Sequence, residues 1–484
     1  MNKLSKLINK SEMDLTSGDT KTLIKKFIIF VIPILLVGIL ELLFNTFDLI
    51  VVQLKNGPIY GAAVGSNGSL TALITQAFLG LSSGVNIVVS KYVGKKDKET
   101  TSRAIHTGIL LSIISGIILA IFGFIFAKDL LILMKVNESY LDIASNYLRI
   151  YFLSMPGFMI YSFGGSAFRG MGDSFKPLIF LVISGITNIL LNYLFVYAFD
   201  LKEVGVALGT VISQSLSGFL VILFLYINKG FCNFRFKKLK FYKEELLEIL
   251  RFGVPSGLEG VLFSISNVML QASVNEWPSI IVSANTNAGN IESYTYISMY
   301  AVFNATPSFI SANYGRGLKD NVKKCHIISL IGVTIIGILV GYTTYLLKEP
   351  LLKLYMGNNY TREIGEYAFQ RMKVVLLSYF ICGLMDTERS VLRGVGYSII
   401  PTIYTIIFNC GFRIFWDKCI YSSDISSPFH SLEILYLCYP ISWILAFILS
   451  ISTYFILRKK WMKKCDDNLI EFNKKEKELN NKNI

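Results

Sequence analysis

The chain has 484 residues, of which 53% are apolar and only 17% charged, with a formal net charge of +14. That composition excludes a soluble domain, so lipid is the expected solvent for most of the chain. The positive charge does not point to nucleic acid, because no basic block interleaves with stacking aromatics in a soluble module.

Residues 1–26 are predicted to be a cytoplasmic tail. No short apolar core precedes a small-residue cleavage site, so Phe27 opens an uncleaved first span. The apolar runs that follow are Leu/Ile/Phe-rich, with Gly and Pro inside, and reach the ~20 residues needed to cross a bilayer as a helix. Barrel strands would be shorter and alternating. Twelve spans are predicted, over about 27–52, 66–92, 104–127, 146–168, 177–200, 204–228, 247–274, 284–312, 325–347, 369–392, 399–420 and 433–457. The longest charged interruption within this region lies at 228–248. It predicts a cytoplasmic linker, 229–246, between an N-terminal lobe (27–228) and a C-terminal lobe (247–457), with 458–484 as a charged cytoplasmic tail.

An even span count puts both termini on one side. Lysines and arginines cluster in the N-terminal tail, at 91–103, 235–243 and 316–324, and from Arg458 onward. These are alternate loops plus both termini, so that side is the cytoplasm. The expectation is a multi-pass protein of the inner (plasma) membrane, working as a monomer. All seven cysteines follow residue 231 without CxxC spacing, which supports neither zinc nor a disulfide framework. His106, His326 and His430 are scattered near span ends and read as interface residues rather than metal ligands.

The chain repeats itself. SAFRGMGDSFKP at 166–177 returns as SVLRGVGYSIIP at 390–401, an offset of 224. FVIP at 30–33 returns as FGVP at 252–255, an offset of 222, and Gly38, Leu40, Asn45 and Tyr92 match Gly260, Leu262, Asn267 and Tyr314 in that register. Six spans separate the copies, so the halves share orientation, a parallel repeat of the kind found in secondary transporters. The repeated RGxGxS…P reads as the cytoplasmic turn between spans four and five and between ten and eleven. There glycines permit the turn, arginine sits on the positive side and proline opens the next helix. Read this way, the motif marks architecture rather than chemistry.

Several stretches resemble the multidrug and toxic compound extrusion (MATE) family. They are Pro33 with Asp48 fifteen residues later, SRAIHTG, LRGMGD-type turns, NILLNYLF and GTVISQ. In the second half they are NIESYTYISMYAVFNATPSFISANYGRG, CGLMDTERSVLRGVGYS, CGFRIFW and YPISW. The resemblance covers roughly residues 25–457. It implies an all-α membrane protein of twelve transmembrane helices in two six-helix lobes arranged as a V, and export driven by inward proton or sodium flow. Carried over by position, the family's N-lobe site falls on Asp48, Asn188, Asn192 and Thr210. Asn192 stands where many relatives have a carboxylate, which favours a proton over sodium as the coupling ion. No other cofactor is expected.

Ionisable groups within spans cost about 2.5–3.5 kcal/mol each at a helix centre, so each needs a reason. Glu41, Asn45 and Asp48 share one face of the first span, either as a polar stripe or as an ion site. Asn188 and Asn192 share a face too, and either tie helices together or serve that site. Glu259, Glu292 and Asp386 are candidate cavity acids for a cationic substrate; the alternative is pairing with Arg389, Arg393 or Arg413. Tyr296 and Met299 suit a greasy, adaptable cavity wall. Pro33 and Pro255 are either tolerated kinks or hinges.

Other function classes fit less well. SGDTKT near residue 20 lacks a phosphate-cradling loop, lone histidines do not make an enzyme site, and no repeated filter suggests a channel. The expected function is a secondary antiporter exporting organic, often cationic, small molecules, and not an enzyme. The alternative is a flippase for lipid-linked saccharides, whose cavity should be lined by several arginines or lysines.

Overall fold

The computed structural model describes residues 12–228, 234–421, 427, 429 and 431–482; His430 lies outside them. The elements are helices, with no strand among the described residues. In the first half α1 (Thr20–Asn56) carries the first predicted span, and α2 (Pro58–Ser66) with α3 (Gly68–Gly94) the second. Next come α4 (Lys98–Leu133), α5 (Leu141–Phe152), α6 (Met155–Gly170), α7 (Phe175–Ala198) and α8 (Lys202–Ile227). The second half comprises α9 (Lys243–Val274), α10 (Ser279–Arg316), α11 (Lys319–Leu346) and the short α12 (Lys348–Met356). It ends with α13 (Arg362–Gly394), α14 (Ile399–Ile420), α15 (Leu432–Ile456) and the charged α16 (Arg458–Lys482).

Among the described residues nine helical segments are long and apolar enough to cross a membrane. Three predicted spans fall short of that measure, each for a visible reason. The fourth is broken between α5 and α6, because Pro156 has no N–H to return to the Phe152 carbonyl. The seventh and eighth are continuous helices, α9 and α10, whose buried faces carry Glu259, Asn285 and Glu292. Helices also overrun the predicted spans, as in α10, which is 38 residues long.

Burial follows the logic of a lipid solvent. On α4 the small residues Ser112, Gly116, Ala120, Gly123 and Ala127 are buried, while Ile117, Ile118, Ile121, Phe124 and Ile125 are exposed. Small residues let neighbouring helices approach closely, and large apolar ones meet the acyl chains. The same arrangement returns on α11, which buries Ser329, Val333, Gly337 and Gly341 and exposes Ile327, Ile331, Ile335 and Leu339.

The chain forms two compact units that are not simply its two halves. One holds Ile32–Gly257 together with the described residues up to Leu15, and the other holds Thr16–Val31 with Leu258–Ile484. The division falls within α1 just before Pro33, and within α9 just after Pro255. Each proline leaves a helical carbonyl without its i+4 donor, so the helix is weakest there. In the second unit, Phe27 and Phe30 of α1 meet the Phe309 ring edge-on at 5.2 and 5.4 Å. In the first, Glu248 of α9 takes hydrogen bonds from Lys91 Nζ at 2.6 Å and Tyr92 Oη at 2.9 Å.

The predicted linker is shorter than 229–246, because α9 already starts at Lys243. Its described part docks on α4: Phe234 stacks on His106 at 4.8 Å, and the Arg235 N–H donates to His106 Nε2 at 3.0 Å. That bond leaves Nδ1 to donate to the Ser102 carbonyl, 2.6 Å away, so the imidazole holds the linker rather than facing the interface.

The repeated turn has the same construction twice. Gly172 and Gly396 lie at φ 88° and 102°, the left-handed region open to glycine. In the first copy Gly172 N–H bonds to Arg169 O and Asp173 N–H to Phe168 O; in the second, Gly396 to Arg393 and Tyr397 to Leu392. All four bonds measure 2.9–3.0 Å and form the paired closure that ends a helix on glycine.

Candidate functional site

Three helices of the first unit converge on Asp48. It sits on α1, fifteen residues beyond Pro33, and is 7% exposed. From α7, Asn192 Nδ2 donates to Asp48 Oδ1 at 2.5 Å and lies 3.1 Å from Asn188 Oδ1. From α8, Thr210 Oγ1 lies 3.3 Å from Asp48 Oδ2. Asn192 gets this close to α8 because position 209 is glycine; a methyl group there would overlap Asn192 Oδ1. That oxygen has no hydrogen-bond partner among the described residues. Val51, Val52, Tyr147, Val196 and Val206 form a buried apolar cluster around the same elements. Among the described residues no lysine, arginine or histidine pairs with Asp48, so its charge meets only neutral donors.

Four of the predicted ion-site residues therefore come together: Asp48, Asn188, Asn192 and Thr210. Glu41 and Asn45 do not join them. Both are exposed. Helical spacing placed all three residues near one face, but at the levels of Glu41 and Asn45 the residue that α7 packs against is Phe44, whose ring lies against Gly185.

In the second unit the three candidate acids are each matched by arginine. Arg393 bonds Glu259, which also accepts from Thr402 Oγ1 at 2.8 Å and has Arg389 at 3.9 Å. Arg389 Nη1 lies 3.2 Å from Asp386 Oδ1, and Tyr296 Oη lies 3.4 Å from its other oxygen. Arg371 grips both oxygens of Glu292. Of the two readings, pairing describes these acids: Glu259 and Asp386 with Arg393 and Arg389, and Glu292 with Arg371. A carboxylate in a dry interior draws in a counter-charge, and here the protein supplies it. The second arginine of the repeated turn, Arg393, is the partner of Glu259 and so ties α13 to α9. Met299 is fully buried beside Gly337 and Gly383, as core rather than cavity wall.

Glu292 and Arg371 line a cavity of about 260 Å³ inside this unit, whose walls include Phe263, Tyr379, Tyr439 and Trp443. Glu259, Tyr296 and Asp386 are not among its lining residues. Arg371 was missed by sequence reasoning. It lay at the edge of a span drawn from 369, where arginine is ordinary, but α13 begins at Arg362 and carries it into the helix body.

The MatE family pattern matches residues 33–194 and again residues 255–417. The probable multidrug resistance protein YoeA of Bacillus subtilis is 28% identical over 444 residues, 89% of this chain and 94% of its own. The multidrug export protein MepA of Staphylococcus aureus (strain MW2) is 24% identical over 351 residues, 70% of this chain and 75% of its own. In fold, the chain is similar to an outward-facing MATE family multidrug resistance transporter, with a TM-score of 0.82 at 21% identity over 94% of this chain and 99% of that one. It is also similar to a MOP superfamily transporter from Pyrococcus furiosus described by the reverse polarity of its binding pocket, with a TM-score of 0.81 at 20% identity, covering 92% and 98%. One family pattern occurring twice, each time opening on the proline beside a unit boundary, makes this multi-pass membrane chain a member of the MATE family of transporters, not an enzyme.

Proposed function

We propose that the chain is a secondary antiporter that exports organic, drug-like molecules by alternating access, with Asp48 as the coupling carboxylate and a proton as the coupling ion. The observation that carries this reading is the buried Asp48, hydrogen-bonded by neutral side chains and lacking a cationic partner. Holding that charge in the membrane costs about 2.5–3.5 kcal/mol on insertion scales, and a bound proton removes the cost. The Asn192 amide turns its NH2 group, not its oxygen, toward the carboxylate, an arrangement suited to Asp48 without a metal. Sodium, a hard cation, would want several oxygens there.

Proton binding changes what α1 must hold at Asp48, and α1 is divided between units next to Pro33. A shift in the hydrogen bonds of Asp48 therefore biases a helix that is already weak one turn from its unit boundary. Pro255 gives α9 the matching weak point. In this reading both termini are cytoplasmic, and the transporter works as a monomer.

The names of the curated relatives support drug export over the flippase alternative. Charge no longer does so by itself, since the second unit buries Arg389 and Arg413 and largely encloses Arg371 and Arg393. The acids Glu259, Glu292, Asp386, Glu388 and Asp417 each have a basic partner, which argues against selection for cations by an acidic wall.

Efflux of a fluorescent organic dye from energised vesicles, with pH and sodium gradients imposed separately, tests the reading. Asp48→Asn should abolish gradient-driven efflux while leaving the protein folded and able to bind dye. Normal transport by that variant, or wild-type transport that follows sodium at fixed pH, overturns it.

A further inference from the structure

The linker that leads into α9 has two apolar faces, and the protein itself covers only one of them. Phe234 is buried against His106, and Leu239 packs on the core of the first unit. The Tyr242 N–H closes the segment onto α4 by donating to Thr107 Oγ1 at 3.2 Å. Between these anchors Phe236 and Phe241 turn the other way and are 62% and 41% exposed. Because the segment is pinned at both ends, the two rings are held outward.

The direction of Phe236 is set by α8. Ile212, Phe219 and Tyr226 recur every seven residues on that helix and are all exposed, as a lipid-facing stripe requires. The Phe236 ring stands 6.2 Å from the Tyr226 ring, so it extends the stripe past the end of α8 at Ile227. Arg235 spans the same junction, with its guanidinium 4.9 Å from the Tyr226 ring and its Nη1 donating to the Tyr226 carbonyl at 3.4 Å. At the other end, Phe241 precedes α9, whose first arm exposes Leu247 and Val254.

Charge surrounds these rings. Arg235, Lys237, Lys238 and Lys240 are exposed, and among the described residues none of them pairs with a carboxylate. The acids of the following turns are turned elsewhere, Glu245 to Arg103 and Glu248 to Lys91, which leaves Glu244 as the exposed one. Aromatic rings favour the boundary between acyl chains and headgroups, and basic side chains beside them meet anionic phosphates.

We propose that Arg235–Phe241 is a membrane-surface anchor for anionic phospholipid, with Phe236 and Phe241 at the acyl boundary and Lys237, Lys238 and Lys240 on the headgroups. The anchor needs only the chain's place in a membrane and does not rest on the export reading. In the proposed topology the leaflet is the cytoplasmic one.

The test uses the full-length protein carrying Phe236→Trp, in vesicles of two parts phosphatidylcholine to one part phosphatidylglycerol. Bromine on the acyl chains of one lipid or the other quenches the added indole wherever that lipid touches it. Emission of the native tryptophans, measured without the substitution, is subtracted. Phosphatidylglycerol should be preferred over phosphatidylcholine at the reporter by roughly fivefold or more, the scale of one basic side chain at an anionic surface. Lys237→Gln, Lys238→Gln and Lys240→Gln together should abolish the preference while quenching by phosphatidylcholine persists. High salt should weaken it with the lysines in place. A second reporter, Phe124→Trp, sits on the exposed face of α4 toward the opposite end from Thr107 and should show no preference. Absence of quenching at Phe236→Trp, equal quenching by the two lipids, a preference that survives loss of the lysines, or one shared by Phe124→Trp overturns the proposal.

Discussion

Arg371 holds Glu292 by two parallel bonds, Nε to Oε1 at 3.0 Å and Nη2 to Oε2 at 2.8 Å, joining α13 to α10 inside the second unit. Breaking one side of such a buried pair costs about 3–5 kcal/mol, because the remaining charge is left uncompensated. Arg371→Met should therefore lower the thermal unfolding midpoint sharply. The double variant Glu292→Met/Arg371→Met should recover most of that loss. Additive losses in the double variant would show that the pair is not a coupled unit.

Beside Asp48, the proposed coupling residue, Asn192→Asp puts a second carboxylate where the amide now donates. Two acidic groups at that distance cannot both remain charged without a cation or proton between them. A sodium gradient, expected to be inert toward the wild type, should then drive efflux in the variant. Dye efflux from proteoliposomes at fixed pH measures this, and indifference of the variant to sodium would contradict it.

The two copies of the repeated turn predict unequal costs for one substitution. Alanine at φ 88° or 102° is strained by about 1–2 kcal/mol in either copy. At Gly396 nothing lies within reach of the added methyl, whereas at Gly172 the methyl would overlap the Met13 carbonyl oxygen. Gly172→Ala should lower the unfolding midpoint more than Gly396→Ala. Removing residues 1–15 should make the two variants alike.

Docking of the segment at residues 12–13 should depend on pH. The Met13 N–H bonds to Gly172 O at 3.0 Å, and Glu12 accepts from Asn228 Nδ2 at 2.7 Å, with Lys176 Nζ at 3.8 Å. Burial pushes the Glu12 carboxyl above its ordinary value of 4.5, outweighing the lowering by Asn228 and Lys176. The docked state thus binds the proton better than the free segment. Its stabilisation is complete below pH 4.5 and is lost as pH rises through the raised value. Hydrogen exchange at the Met13 amide, corrected for its intrinsic pH dependence, should quicken over that window, and Glu12→Gln should flatten the profile.

What the sequence determined is local and repetitive. Lipid demands long apolar stretches whose backbone bonds close within each helix, so twelve spans, their parallel repeat and the glycine-ended turns were legible from composition and spacing. Asp48, Asn188, Asn192 and Thr210 came from resemblance, and Gly209 is the local reason that they meet. What only the tertiary structure decided is who faces whom. Arg371 meets Glu292 across 79 positions of sequence and Arg393 meets Glu259 across 134, and no periodicity records such pairings. The same holds for the unit boundaries near Pro33 and Pro255. A proline marks where a helix can part, but only packing determines which unit each arm joins.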